Sequence, residues 1–204
     1  PDAFTVGADT NIESYPAGDP DYALNEGAAG DLVVNAVNDR VQAGLLDIHK
    51  SARIIDAAAP SGAQEIIADL FSNIGQIGTL RTRAAVAGNL ANFYYHACNP
   101  GGAAEVELYR VDDGTYTNLA SADRGLSGSA TRRGRLRTIG AGSTIALECQ
   151  TEDTRPIQFS DTAATRKTSG PPGCGIYQEV TANTGFVDNL SVDDLAATGF
   201  MARC

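Results

Sequence analysis

Ten short runs of alternating or β-branched residues, each closed by turn-forming residues, limit what this chain can fold into more than any other feature. They read "DLVVNAV", "ARIID", "TLRTRAAV", "NFYYHAC", "AEVELYRV", "GRLRTIG", "STIALECQ", "PIQFS", "CGIYQEV" and "GFVDNLSV". Strand side chains alternate between two faces, so such runs at about 8 to 12 residues' spacing predict an all-β sandwich or barrel. Asp113-Gly114 stands between two of the runs, and Gly140 with Gly142 between two others, both hairpin signals. The chain has 204 residues, no long polar linker and no fixed-period repeat, so one domain over residues 1–204 is expected.

Two segments resist a simple reading. In "SGAQEIIADLFSNIG", Ile66, Ile67, Leu70, Phe71 and Ile74 fall at helical spacing with Ser61 as a cap. The same stretch makes a strand with Ile66, Ala68 and Leu70 on one face and Ile67 and Phe71 on the other, and local pattern leaves both open. In "GFVDNLSVDDL", period two puts Phe186, Leu190 and Val192 on one side of a strand, and Asp188 falls in that apolar row. An ionised carboxylate there is costly unless hydrogen-bonded or ion-paired, so Asp188 needs a partner.

Charge and composition exclude several function classes. Twenty-five acidic against fifteen basic residues give a formal net charge of −10, a field that repels nucleic acid and anionic membrane. No apolar run approaches the ~20 residues of a membrane helix, so no membrane partner is expected. "PDAFTVGADT" lacks a basic start and an apolar core, so synthesis in a cytoplasm is the expectation. Cys98, Cys149, Cys174 and Cys204 are too scattered for a zinc ribbon or a disulfide framework; they read as buried or free thiols, with a Cys98–Cys149 bridge between neighbouring strands as the exception.

The order of motifs resembles the concanavalin A-like lectin/glucanase superfamily, in the style of its laminin-G-like members. The residues that carry the likeness are "FTV", "TNIESYP", "DLVVNAVNDRV", "IGTLRTRAAV", "NFYYHAC", "EVELYRVDDGTYTNLAS", "RLRTIGAGSTIALEC", "GPPGCGI" and "FVDNLSVDDL". The resemblance runs from Asp2 to Leu195 and implies a jelly-roll β-sandwich of two curved antiparallel sheets. It tips residues 64–71 toward strand and places the closing strand beside the first. In similar domains a carboxylate at the position of Asp188 lies near the N-terminal residues, sometimes as a calcium ligand. Backbone N–H groups or an arginine are the simpler partners; Asp188 with Asp2 is the calcium candidate, and no other cofactor is expected.

Catalytic constellations are missing. Glucan-cleaving members of that superfamily carry carboxylates at alternate positions of one strand, and the nearest candidates are Glu105 with Glu107 and Glu148 with Glu152. Neither pair fits the Glu-x-Asp-x-x-Glu pattern of those enzymes, so the chain is read as no enzyme. "GLSGS" is out of register for a nucleophile elbow, and "DTNIES" lacks the glycine of an EF-hand loop. His49 and His96 are too few for a triad or metal site and read as structural. Tyr15 and Tyr22 lie where a sugar can stack, whereas Tyr94, Tyr95, Tyr109 and Tyr116 read as half-buried strand residues, and no strong sugar site stands out.

"TRRGRLR" is the most distinctive charge feature. Arg133, Arg135 and Arg137 share one side of a strand and repel one another unless carboxylates or an anionic ligand lie opposite. They suit a subunit contact, an acidic-glycan site or pairing within this acid-rich chain. From fold and compartment, the leading expectation is a non-catalytic virion protein, a phage capsid decoration or cement subunit or a head/tail appendage, bound to capsid subunits or to copies of itself. A free polysaccharide-binding or adhesion module is the alternative.

Overall fold

Alternation in the sequence becomes layering in three dimensions, and the layers are set by which residues face inward. The computed structural model describes residues 10–14, 22–26, 31–38, 40–43, 47–54, 62–73, 76–87, 90–102, 104–140, 142–152, 154–178 and 185–195. Its strands are β1 (Thr10–Asn11), β2 (Tyr22–Glu26), β3 (Leu32–Asn35), β4 (Arg40–Ala43), β5 (Asp47–Ile54), β6 (Gln64–Asn73), β7 (Gln76–Ala87) and β8 (Leu90–Cys98). They continue as β9 (Val106–Asp112), β10 (Thr115–Ala122), β11 (Ala130–Ile139), β12 (Ile145–Thr151), β13 (Ile157–Asp161), β14 (Gly173–Gln178) and β15 (Phe186–Asp194), with one short 3-10 turn at Ile12–Ser14.

All pairings are antiparallel. One layer runs β1-β3-β4-β15-β6-β11-β12-β13. The other runs β2-β5-β14-β7-β8-β9-β10. The β6–β7 hairpin joins them, where Ser72 pairs with Ile77. Ile66, Leu70 and Leu136 from the first layer and Leu80, Leu108 and Ile176 from the second share one buried cluster between the layers. Each such side chain contributes about 1.5–3 kcal/mol on burial.

Residues 64–73 are therefore strand, not helix. Gln64, Ile66, Ala68, Leu70 and Ser72 are buried on one face, and flanking strands β11 and β15 satisfy the backbone on both edges. Asp113 and Gly114 adopt φ of 49° and 79° between paired Asp112 and Thr115, the doubly left-handed two-residue turn that Asp-Gly favours.

Asp188 does not stand in the apolar row. Asn189 adopts a left-handed φ of 49°, and the β15 register slips between Asp188 and Ser191. This bulge exchanges the faces: Val187 points into the core before it, and Leu190 after it. Asp188 and Phe186 are left on the outer side, where Phe186 packs on Phe71 and under the Arg40 guanidinium. Strand β15 lies between β4 and β6, with β3 separating β4 from β1.

Cys98 and Cys149 sit on β8 and β12, in opposite layers, and Cys98, Cys149 and Cys174 are all buried free thiols. The bridge expected as an exception is not formed. Burial pushes the Cys149 thiol up to about 12 and raises that of Cys98, which makes both poor nucleophiles. One end of the sandwich is closed by polar groups. Tyr94 donates to Asp161 at 2.8 Å, Arg110 reaches Asp161 and Asp112, and Lys167 meets Asp112 at 2.6 Å. Nearby, fully buried Arg83 donates to the carbonyls of Lys167, Gly62 and Gly140, tying three loops to β7.

Candidate functional site

A second hydrophobic cluster lies on the outer side of the β7–β10 layer, away from the main core. Phe93, Tyr95, Ala97 and Val111 form it, with Tyr109 and Tyr116 packed against them. Cross-strand register assembles the rings: Tyr95 of β8 faces Tyr109 of β9, and Tyr116 of β10 faces Val111. Tyr95 meets Tyr109 and Tyr116 nearly edge to face, at centroid separations of 5.6 and 5.7 Å. Contacts of this kind contribute about 0.5–1.5 kcal/mol each beyond area burial and hold the rings in place.

The adjoining cross-strand row is small. Gly175, Thr79 and Ala97 pair across β14, β7 and β8, and the row continues to Glu107 on β9. These short side chains leave a hollow of about 280 Å³ walled by Tyr95, Tyr109, Tyr116 and Tyr177, with Glu107 and Asn99 as its polar groups. The Tyr109 hydroxyl donates to Glu107 Oε1 at 2.8 Å. Burial raises the Glu107 carboxyl above the usual carboxylate range, and the Tyr109 hydrogen bond opposes this. Arg81 lies on the opposite side of the cluster, its guanidinium 4.8 Å from the Phe93 centroid and 5.1 Å from that of Tyr95.

Four phenol rings, one carboxylate and one amide around a pocket of this size suit a ring compound with apolar C–H faces and polar edges. Hydrolysis of a glycosidic bond needs two carboxyl groups about 5–9.5 Å apart across the scissile bond. Among the described residues lining the pocket Glu107 is the one carboxylate. Glu105 is turned away to accept the N–H groups of Arg124 and Leu126 at 2.8 and 2.7 Å. A larger hollow of about 420 Å³ lies between the ends of β10 and β13, lined by Ser121, Arg124, Arg155 and Gln158 among others, but no aromatic ring borders it.

Three arginines of β11, Arg133, Arg135 and Arg137, face carboxylates of this chain, whereas buried Arg132 donates to the carbonyls of Ser127 and Gly128. Arg133 meets Asp69 at 2.9 Å, Arg135 meets Glu148 at 2.8 Å, and Arg137 meets both Glu65 at 2.7 Å and Glu148 at 3.3 Å. The cause is register: Arg133 is directly opposite Asp69 and Arg137 opposite Glu65 on β6, and Arg137 opposite Glu148 on β12. Pairing within the chain is thus what the outer face of this layer displays.

Asp188 accepts the Asn189 backbone N–H at 2.7 Å, and its charge partly offsets the desolvation that lowers the pKa of the Arg40 guanidinium. It pairs across strands with Asp69, which in turn accepts Asn189 Nδ2 and Arg133. Among the described residues, N–H donors and a guanidinium already face these oxygens. Asp2, the other candidate ligand, lies outside the described residues, as do Tyr15, Cys204 and the His49 side chain. Among the described residues no cluster of three or more His, Cys, Asp or Glu could hold a metal ion. His96 is fully buried between the layers, with Nδ1 3.3 Å from the Glu107 carbonyl and Nε2 3.2 Å from Thr151 Oγ1. Burial depresses the imidazole to about 4, and hydrogen bonds to the Glu107 and Gln150 backbone oppose this.

The tyrosine pocket escapes sequence reading because Tyr95, Tyr109, Tyr116 and Tyr177 come from four strands. Its one local signal is parity: Tyr95 and Tyr109 alternate with the core-facing residues Tyr94, His96 and Leu108.

No protein-family model and no curated protein sequence matches the chain. Solved structures do. The carbohydrate binding module CBM66 from Bacillus subtilis superposes with a TM-score of 0.57 at 15% identity, over 85% of this chain and 95% of that one. A Bacillus licheniformis beta-glucanase gives 0.55 at 8% identity, over 92% and 98%. The exoplasmic/lumenal domain of VIP36, in a form bound to Ca2+ and mannose, gives 0.53 at 10% identity, over 85% and 83%. The fold is thus an antiparallel jelly roll, the fold class expected from the resemblance.

Proposed function

We propose that this protein is a non-catalytic saccharide-binding protein and that the tyrosine pocket is its binding site. The observation that carries the reading is the 280 Å³ hollow walled by four tyrosines on the outer face of the β7–β10 layer, with Glu107 and Asn99 placed to meet hydroxyl groups. Aromatic walls offer apolar area to the C–H faces of a sugar, and a few fixed polar groups orient it. Likeness to both a carbohydrate binding module and a glucanase leaves catalysis to be decided by the site. A pocket with one carboxylate supports binding without cleavage.

A place in a virus particle, the leading expectation from sequence, has no support in the fold or its likenesses. The arginines expected to form the subunit contact are matched by Asp69, Glu65 and Glu148 of the same chain.

The test is a glycan array probed with the whole chain, followed by affinity electrophoresis of Tyr109→Ala and Tyr116→Ala. Retention on one class of glycan, lost in both variants while circular dichroism stays β-type, is the expected result. Retention unchanged in both variants, or reducing-sugar release by the wild type, overturns the reading.

A further inference from the structure

Among the described carboxylates with a polar partner, Glu107 stands apart. Half-buried or buried Asp69, Glu65, Glu148, Asp112 and Asp161 each meet an arginine or lysine. Glu105 is held by two backbone N–H groups. Among the described residues Glu107 receives the Tyr109 hydroxyl alone, and no lysine, arginine or histidine is among the described residues lining its pocket. A carboxylate in such surroundings is under-compensated by the described residues, and an incoming cation would supply the missing charge.

The walls favour the same kind of ligand. Aromatic ring faces attract cations, and among the described residues two guanidinium groups use this, Arg81 over Phe93 and Tyr95 and Arg40 over Phe186. Arg81 lies one cross-strand row away from Glu107, beside Tyr95, and does not line the pocket. A formal net charge of −10 adds a long-range field that draws cations toward the surface.

We infer that the saccharide taken by the tyrosine pocket carries a free ammonium group, as in an N-unsubstituted amino sugar or its oligomers, with Glu107 receiving the ammonium among the rings of Tyr95, Tyr109, Tyr116 and Tyr177. This rests on the saccharide-binding reading of the same site. Calorimetry on the whole chain with a glucosamine oligomer, its N-acetylated counterpart and a neutral glucan oligomer of equal length tests it. The glucosamine oligomer binds tightest, and Glu107→Gln lowers its affinity about ten- to hundredfold, a markedly larger loss than either neutral oligomer shows. Gln is nearly isosteric and keeps an oxygen for the Tyr109 hydroxyl; Glu107→Asp, which keeps the charge, retains the preference for the amine.

General attraction of a polycation to an acidic protein predicts a different outcome, since Glu107→Gln changes the net charge by one and leaves the field almost intact. Equal binding of the glucosamine oligomer by wild type and Glu107→Gln overturns the inference. Equal or tighter binding of the neutral oligomers by the wild type also overturns it and leaves the saccharide reading standing. Failure of all three oligomers, together with a blank glycan array, removes both.

Discussion

The two outer faces of the sandwich are built from the same alternating backbone and end in opposite chemical states. On the β6–β11–β12 face, Glu65, Arg137, Glu148 and Arg135 close on one another, and Arg133 closes on Asp69, so charge meets charge within the chain. On the β7–β10 face, rings pack edge to face and the Glu107 carboxylate is left with one phenol hydroxyl. A strand face whose polar groups are matched by its neighbours has little left to offer a ligand. A face with stacked aromatic edges, a row of small residues and an uncompensated carboxylate has unused capacity, and a binding site is best sought there.

The largest expected effect concerns the group that lies between the faces. His96 touches the backbone of β9 on the aromatic layer and Thr151 on the ion-paired layer. Its imidazole is depressed to about 4, so below its ordinary value of 6.5 the unfolded chain binds a proton that the folded chain refuses. Stability therefore falls as pH drops from 6.5 toward 4, by on the order of 3 kcal/mol, and is unaffected by this group above 6.5. Urea titrations across that range check it, and the tyrosine signal and the far-ultraviolet β signal should be lost together. Separate transitions would break the view of the layers as one cooperative unit.

Next in size is Tyr116→Ala, which removes one wall of the pocket and should weaken glycan binding about tenfold or more with β content unchanged. The matching change on the other face is Arg137→Ala. It leaves Glu65 and Glu148 without that partner, costs about 1 kcal/mol by thermal melting, and leaves glycan affinity as it was. A loss of binding in Arg137→Ala would sink the division of labour between faces. Smallest is the response to salt: screening of the half-exposed pairs lowers stability by a few tenths of a kcal/mol, and Arg137→Ala shows less of this dependence than wild type.

Local physics in the sequence determined a great deal. Alternation and β-branching specify strands without reference to distant residues, and Asp113-Gly114 sets its hairpin because those two residues tolerate left-handed backbone. The spacing of these elements indicated a sandwich or barrel, and the jelly roll came from the resemblance to a known superfamily. Residues 64–73 show the limit, since their apolar pattern satisfies either period and only the edges offered by β11 and β15 select the strand. Likewise, strict alternation misplaces Asp188, because one left-handed residue at Asn189 turns it out of the core row.

What tertiary structure alone decided is everything that depends on register between strands far apart in the chain. The β6 carboxylates that meet Arg133 and Arg137 lie 64 and 72 residues away, and the four walls of the tyrosine pocket come from β8, β9, β10 and β14. Period two tells which residues share a face but not which residues become neighbours on it. That second relation is fixed by hydrogen-bond pairing across the sheets, and a one-residue slip in it would move every ring and every charge to the other side.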